Sequence, residues 1–390
     1  MGLNPPLAGV RVLDLSALLP GPYCTRILAD FGADVIRIER PGGGDWSRYA
    51  PPLRRDHGVL FDALNHGKRS LTLNLKSEKG KAIFLALVTG SDVLLETFRP
   101  GVMGRLGLGY PILARANPNL LYCALSGYGT QGPYRDRAGH DLNYVGLAGL
   151  LDLTGHAGSL PAIPGAPIAD LAGGLWATIG ILLLLLARAR GDGGCRADAS
   201  LLGAALACLP MAVAGEAGGA PLQRGASELT GGLLCYNVYE CQDGDCLTLA
   251  ALEPDFWADF CAAVNRPDLA GEQFSPALPG QPAYDDLRAF FKTRPRDEWI
   301  HLLRDADCCC EPVLRVGEAE NSPPVRALGM FADGALRPPL ILGKDGARFP
   351  EPAAAGALRA AELGEHTAEV LAELGYDAAQ VEELREAGVV

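Results

Sequence analysis

The chain has 390 residues, 48% of them hydrophobic and 21% charged, a balance that excludes a disordered or fibrous polymer and leaves room for two or three cores. Its formal charge of -12 argues against nucleic-acid and anionic-membrane partners, but that charge is unevenly spread. Residues 1–140 hold 17 Lys and Arg against 11 Asp and Glu, whereas residues 141–390 hold 17 against 35, so a small anionic ligand is expected at the first part. No basic stretch followed by an apolar run opens the chain, which predicts a cytoplasmic protein with reduced thiols. The eleven cysteines fit that reading, being odd in number, with Cys308, Cys309 and Cys310 consecutive. Cys235, Cys241 and Cys246 form no Cys-x-x-Cys pair, so they read as small buried hydrophobes and no metal is expected.

In chain order, residues 10–15 read as a buried strand, 23–31 as a helix ended by Gly32, and 34–39 as a second strand, a βαβ unit implying a parallel sheet. The turn between them, SALLPGP at 16–22, lacks the Gly-x-Gly-x-x-Gly that cradles a pyrophosphate, so the topology is Rossmann-like without NAD. Further strands are predicted at 70–75, 93–96 and 120–126, and helices at 77–89 and 111–116. The apolar run 171–187 is interrupted by glycines and predicts a buried helix rather than a membrane crossing. A helix at 199–214, a Gly/Ala-rich linker at 215–232 and a hairpin at 236–251 with Asp-Gly at its tip follow. Helices then begin near Pro254, and residues 353–390 read as acidic and helical. The expected class is α/β, a Rossmann-like large domain with a parallel sheet plus a smaller α+β domain. Its boundaries are a large domain at 1–200, helix and linker at 201–227, a small domain at 228–320, and a return linker with C-terminal helices at 321–390.

Two clusters carry chemistry. Basic residues gather near the predicted strand ends: Arg37, Arg40, Lys68, Arg69, Lys76, Arg99 and Arg105. Carboxyl ends of parallel strands are where such sheets bind ligands, and these cations suit phosphate oxygens, although each alone could be solvated surface charge. The second cluster is GHDLNY at 139–144, followed by APIADLAGG at 166–174, each preceding an apolar helical run. His140 and Asp170 thus sit at helix beginnings, where unpaired N–H groups favour developing negative charge. Asp170 has an alternative reading as a helix N-cap, and His140 one as a structural hydrogen-bonder.

These motifs, with LAGVRVLDL at 7–15, LADFGADVIRIERP at 28–41, LNHGKRS at 64–70, FRPG at 98–101 and LSGYG at 125–129, resemble the family III CoA-transferase superfamily, and within it the α-methylacyl-CoA racemase branch. The His-Asp pair at 140–141 and the Glu253-Pro254 step carry the racemase likeness. The resemblance implies that His140 and Asp170 exchange protons on opposite faces of the carbon α to a thioester. It implies further that the backbone N–H near Asp141 stabilises the enolate and that Glu253 orients His140. It also implies a CoA path lined by Arg37, Leu73, Asn74, Leu75, Lys76, Thr97, Phe98, Arg99, Arg105, Gly139, Asn143 and Tyr144. No cofactor beyond the CoA of the acyl-CoA substrate is expected, and an interlocked homodimer is. The alternative within the superfamily is a CoA transferase in which Asp170 attacks the thioester as a nucleophile.

Overall fold

The structure, a computed structural model, describes residues 5–54, 56–332, 335–340, 342 and 359–390. Its chain divides into two compact units, one of Met1–Val145, Pro167–Ala207 and Pro324–Val390, the other of Gly146–Ala166 and Cys208–Pro323. The larger unit is built on six strands, β1 (Arg11–Leu15), β2 (Asp34–Glu39), β3 (Arg69–Thr72), β4 (Val93–Glu96), β5 (Leu121–Ser126) and β6 (Arg196–Ser200). All pair in parallel, in the order β3-β2-β1-β4-β5-β6, which is the doubly wound arrangement expected from the βαβ pattern.

The inner strands are buried along nearly their whole length, as parallel strands covered on both faces must be. One core joins Leu13, Ile36, Leu71 and Leu94 of the sheet to Ile83, Phe84 and Leu87 of the helix Glu78–Thr89. Val370, Leu371, Val381 and Leu384 from the helices Thr367–Glu373 and Ala378–Glu386 complete it, so the C-terminal helices dock on the sheet. Residues 353–358 of the expected helical stretch lie outside the described residues. Elsewhere in this unit the helices Pro20–Asp30 and Ile168–Ala189 pack closely, and Gly174 makes that possible: a Cβ there would stand 2.7 Å from the Pro20 carbonyl oxygen.

Three expectations need correction. The long helix is buried on one face only, through Ala169, Ala172, Gly173, Ala177 and Ile181. Its other face leaves Leu175, Trp176, Ile179, Leu183 and Leu186 exposed in the chain, and its 22 residues are long and apolar enough to cross a membrane. A helix apolar all round gives no periodic signal separating two faces. The predicted helix at 199–214 is instead the end of β6 followed by two helices, Leu201–Ala207 and Pro210–Ala217, because Pro210 has no N–H to continue the first. The domain boundaries also shift. Leu201–Ala207 belongs to the larger unit, while Gly146–Ala166 and residues 208–227 of the expected helix and linker belong to the smaller, where Asp152 and Arg224 form an ion pair of 3.4 Å.

The smaller unit contains the hairpin β7 (Tyr236–Glu240) and β8 (Cys246–Ala250), in the register the Asp-Gly tip requires, with Glu240 opposite Cys246. A third antiparallel strand, β9 (Cys310–Pro312), pairs with β8. Helices Pro254–Ala263, Pro282–Phe291 and Arg296–Leu303 supply Trp257, Phe260, Phe291 and Trp299 to a core that also takes in Cys235, Cys241, Cys261, Cys308 and Cys310. Those thiols are free and act as packing groups.

Candidate active site

The strand order reverses between β1 and β4, and their carboxyl ends open a crevice. In a dinucleotide-binding turn the N–H groups after the first strand meet a pyrophosphate. Here they are taken by the protein itself. The N–H and hydroxyl of Ser16 donate to Asp14, the Ala17 N–H to Thr97 Oγ1 at 3.2 Å, and the Leu18 N–H to Asp45 Oδ2 at 2.9 Å. Gly21 permits this closure, since a Cβ there would lie 2.2 Å from the Ser16 Cβ and 2.7 Å from Thr97 Cγ2.

Below the turn runs a buried ionic network. Asp14 accepts from Thr25 Oγ1 at 2.6 Å and lies 3.3 Å from Lys68 Nζ and 3.5 Å from Arg37 Nη1. Burial opposes its charge, but Lys68 and Arg37 with the two hydroxyls hold its carboxyl well below the usual carboxylate range. Burial pushes the Lys68 ammonium down to about 8 against the pull of Asp14. Arg37, only 1% exposed, also contacts Asp45 at 2.5 Å and Glu39 at 3.7 Å.

A cleft of about 620 Å³ lies over these strand ends. Of the residues expected along a CoA path, Arg37, Leu73, Asn74, Leu75, Lys76 and Phe98 line it, but the Arg37 guanidinium is already occupied by three carboxylates. The exposed cations on its wall are Arg40 and Lys76, neither of which makes an ion pair among the described residues. Gly388 reaches the same wall, and the Asn74 N–H donates to the Val389 carbonyl at 2.7 Å. Thr97, Arg99 and Arg105 lie off this wall. Thr97 serves the β1 turn, while Arg99 and Arg105 are exposed. The turn that sends Phe98 into the cleft is held by Glu96, which accepts from the Phe98 N–H at 2.7 Å and the Tyr122 hydroxyl at 3.0 Å. Burial, opposed by these two donors, pushes the Glu96 carboxyl up to about 7.

The second cluster is also assembled within the larger unit. His140 is exposed immediately before the helix Asp141–Leu147, and its N–H donates to Asn143 Oδ1 at 3.0 Å. Tyr144 is buried, donates its hydroxyl to the Gly139 carbonyl at 2.8 Å and meets Tyr128 edge to face, which fixes the entry of that helix. As the first helical residue, Asp141 has a backbone N–H that no carbonyl of its own helix can accept. Asp170 stands in the first turn of Ile168–Ala189, where Pro167 occupies the cap position, so the reading of Asp170 as an N-cap is set aside. The Asp170 N–H donates to Asp141 Oδ1 at 3.1 Å, which ties the two helix starts together. Burial, and then the charge of Asp141, push the Asp170 carboxyl up to about 6, with His140 acting in the opposite sense. Two proton-carrying groups are thereby placed within electrostatic reach of one another.

Glu253 lies in the smaller unit, at the cap position of Pro254–Ala263, exposed and without a capping hydrogen bond. Cys309, in a left-handed conformation at φ 51°, is near enough that burial, Asp307 and Glu253 raise its thiol pKa. Arg40, one of the basic residues expected at the strand ends, stands on the cleft wall; among the described residues, the contributors passed over by the sequence reading of the site are Glu96 under Phe98 and the Asp141 carboxylate. Glu96 had a visible signal, a carboxylate closing an otherwise apolar strand.

The sequence model of CoA-transferase family III matches residues 7–381. This chain belongs to CoA-transferase family III. It is 35% identical to the α-methylacyl-CoA racemase of Homo sapiens, over 97% of this chain and 96% of that protein. It is 34% identical to the acetyl-CoA:oxalate CoA-transferase of Acetobacter aceti, over 85% of this chain and 87% of the relative. Among solved structures, a CAIB/BAIF family protein from Brucella suis superposes with a TM-score of 0.81 at 30% identity, covering 95% of this chain and all of the other. Family III thus includes relatives named for two different reactions at nearly equal distance from this chain.

Proposed function

We propose that the protein is an α-methylacyl-CoA racemase, interconverting (R)- and (S)-2-methylacyl-CoA thioesters by proton transfer through an enolate. The carrying observation is the pairing of an exposed His140 with an Asp170 whose carboxyl is raised to about 6, at two joined helix starts. A general base works best when its pKa lies near the working pH, and burial with Asp141 moves Asp170 in that direction. In one direction His140 takes the α-proton from one face, and the carboxylic acid of Asp170 delivers a proton to the other. In reverse, the Asp170 carboxylate takes the proton and the imidazolium of His140 returns one. Between the steps the thioester oxygen carries negative charge, and the backbone N–H of Asp141 is the donor assigned to it.

The CoA moiety is assigned to the cleft over β1 and β4, with Arg40 and Lys76 for its phosphates and Phe98 and Leu73 along its wall. Neither catalytic step calls for a resident metal or redox cofactor. Glu253 is assigned to support His140, from the same chain or a second copy. A homodimer is supported by the exposed stripe of Leu175, Trp176, Ile179 and Leu183, an apolar surface of the kind that a partner covers. The second reading, a CoA transferase with Asp170 as nucleophile, is favoured by the 34% identity to the oxalate enzyme, but it leaves His140 without a task.

The test is incubation of each enantiomer of a 2-methylacyl-CoA in D2O. Deuterium at the α-carbon and convergence to a racemate are expected from both. Absence of exchange across a panel of branched acyl-CoAs, together with a covalent adduct trapped on Asp170, overturns the racemase reading.

A further inference from the structure

Asp141 enters the reaction scheme only through its backbone, yet its side chain is the group that joins the two helix starts. Asp141 Oδ1 accepts the Asp170 N–H at 3.1 Å across 29 residues of sequence. That N–H belongs to the first turn of Ile168–Ala189, where no residue of the helix can accept it and the cap position is filled by proline, which has no side-chain acceptor. The Asp141 carboxylate therefore performs from another helix the service a capping side chain performs locally. Its negative charge faces the Asp170 carboxyl it positions.

We propose that the Asp141 side chain is a positioning residue for Asp170, fixing the start of the long helix through the hydrogen bond and holding its own charge against the group it positions. This rests on the reading of Asp170 as a proton-transfer group. The groups acting on Asp170 are Asp141 and His140, both from the start of the short helix. Tyr144 of that helix is influenced in turn by Tyr128, Asp170, Arg99 and Asp141, and with burial foremost its phenol is held up at about 12, so it stays neutral while Asp170 titrates. Asp141 is thus the neighbour whose charge disfavours ionisation of Asp170, and His140 opposes it.

The two roles separate by substitution. Asp141→Asn retains an oxygen that accepts the Asp170 N–H and removes the charge; Asp141→Ala removes both. The carboxyl of Asp170 is followed by carbon-13 NMR in protein labelled at aspartate, its signal identified by its loss in Asp170→Asn, and exchange of a 2-methylacyl-CoA α-proton is measured against pH in parallel. In Asp141→Asn the midpoint of Asp170 is expected to fall by about one pH unit, and the acid limb of the exchange profile to fall with it. Asp141→Ala is expected to show the same lowered midpoint with kcat reduced a further ~10-fold and KM unchanged, a loss that Asn restores in part. An Asp170 midpoint within about 0.2 units of wild type in Asp141→Asn overturns the tuning role, and equal kcat in the Asn and Ala variants overturns the anchoring role. Exchange absent from the wild type with the NMR shift intact counts against the racemase reaction and leaves the electrostatic role of Asp141 standing.

Discussion

Asp14, near the end of β1, and Asp170, in the first turn of the long helix, are aspartates withdrawn from solvent within the same unit, and their carboxyls are driven in opposite directions. Asp14 is the more deeply buried, yet Lys68 and Arg37 beside it hold it ionised. Asp170 is only partly buried, yet its carboxyl rises to about 6 because burial is joined by a second carboxylate. Depth alone therefore does not decide the state of a carboxyl; the sign of its nearest charges does. The region under β1 spends its charges on one another and holds the sheet ends, whereas the region at the helix starts keeps a proton exchangeable.

Replacing each aspartate by its amide breaks the comparison most directly. Asp170→Asn is expected to cut α-proton exchange by about 10³-fold with little change in the unfolding midpoint, as measured by exchange kinetics and urea titration. In the wild type, exchange that begins with Asp170 as base should rise with pH through about 6, because only the ionised carboxyl accepts a proton. Asp14→Asn should do the reverse, destabilising the fold by about 3–5 kcal/mol in urea unfolding while the surviving folded fraction exchanges normally, since it strands the buried Lys68 ammonium, whose carboxylate partner is Asp14, whereas Arg37 keeps Asp45. The Asp14 carboxyl has a folded pKa below its unfolded value of 3.8, so its contribution is present above that value and is lost as pH falls below it. A wild-type curve that loses more stability than Asp14→Asn over that acid range would bear this out. The smallest effect separates two arginines. Arg40→Ala should raise KM for acyl-CoA by about 10-fold with kcat unchanged, whereas Arg37→Ala should chiefly lower stability. An equal KM effect from both would place Arg37 among the phosphate ligands after all.

The inner strands were legible because runs such as VLDL, DVIRIE and VLLE are dense in β-branched and aliphatic residues. β6, with the sequence RADAS, carries no such signal, and as a partly exposed edge strand it needs none. β9 is three residues ending in proline, and it is defined by pairing with β8 rather than by its own pattern. At the site, His140 and Asp170 stood out because each precedes an apolar helical run, a local feature. Which arginine is buried depended on Asp14 and Asp45, and the Asp141 carboxylate matters through a bond spanning 29 residues. Pairings of that kind are created by the fold and leave no spacing to read.

The cleft wall at Asn74 has an origin far along the chain. Asn74 donates its side-chain amide to the Gly388 carbonyl across 314 residues, and its backbone N–H to Val389. A chain still being synthesised can therefore form the β1 to β5 sheet long before this wall has both its sides. Until residues 388–389 are in place, the Asn74 N–H is left to water, and their docking completes this side of the cleft wall. With the CoA moiety assigned to this cleft, substitutions that break these contacts should lower acyl-CoA affinity while the sheet beneath remains intact.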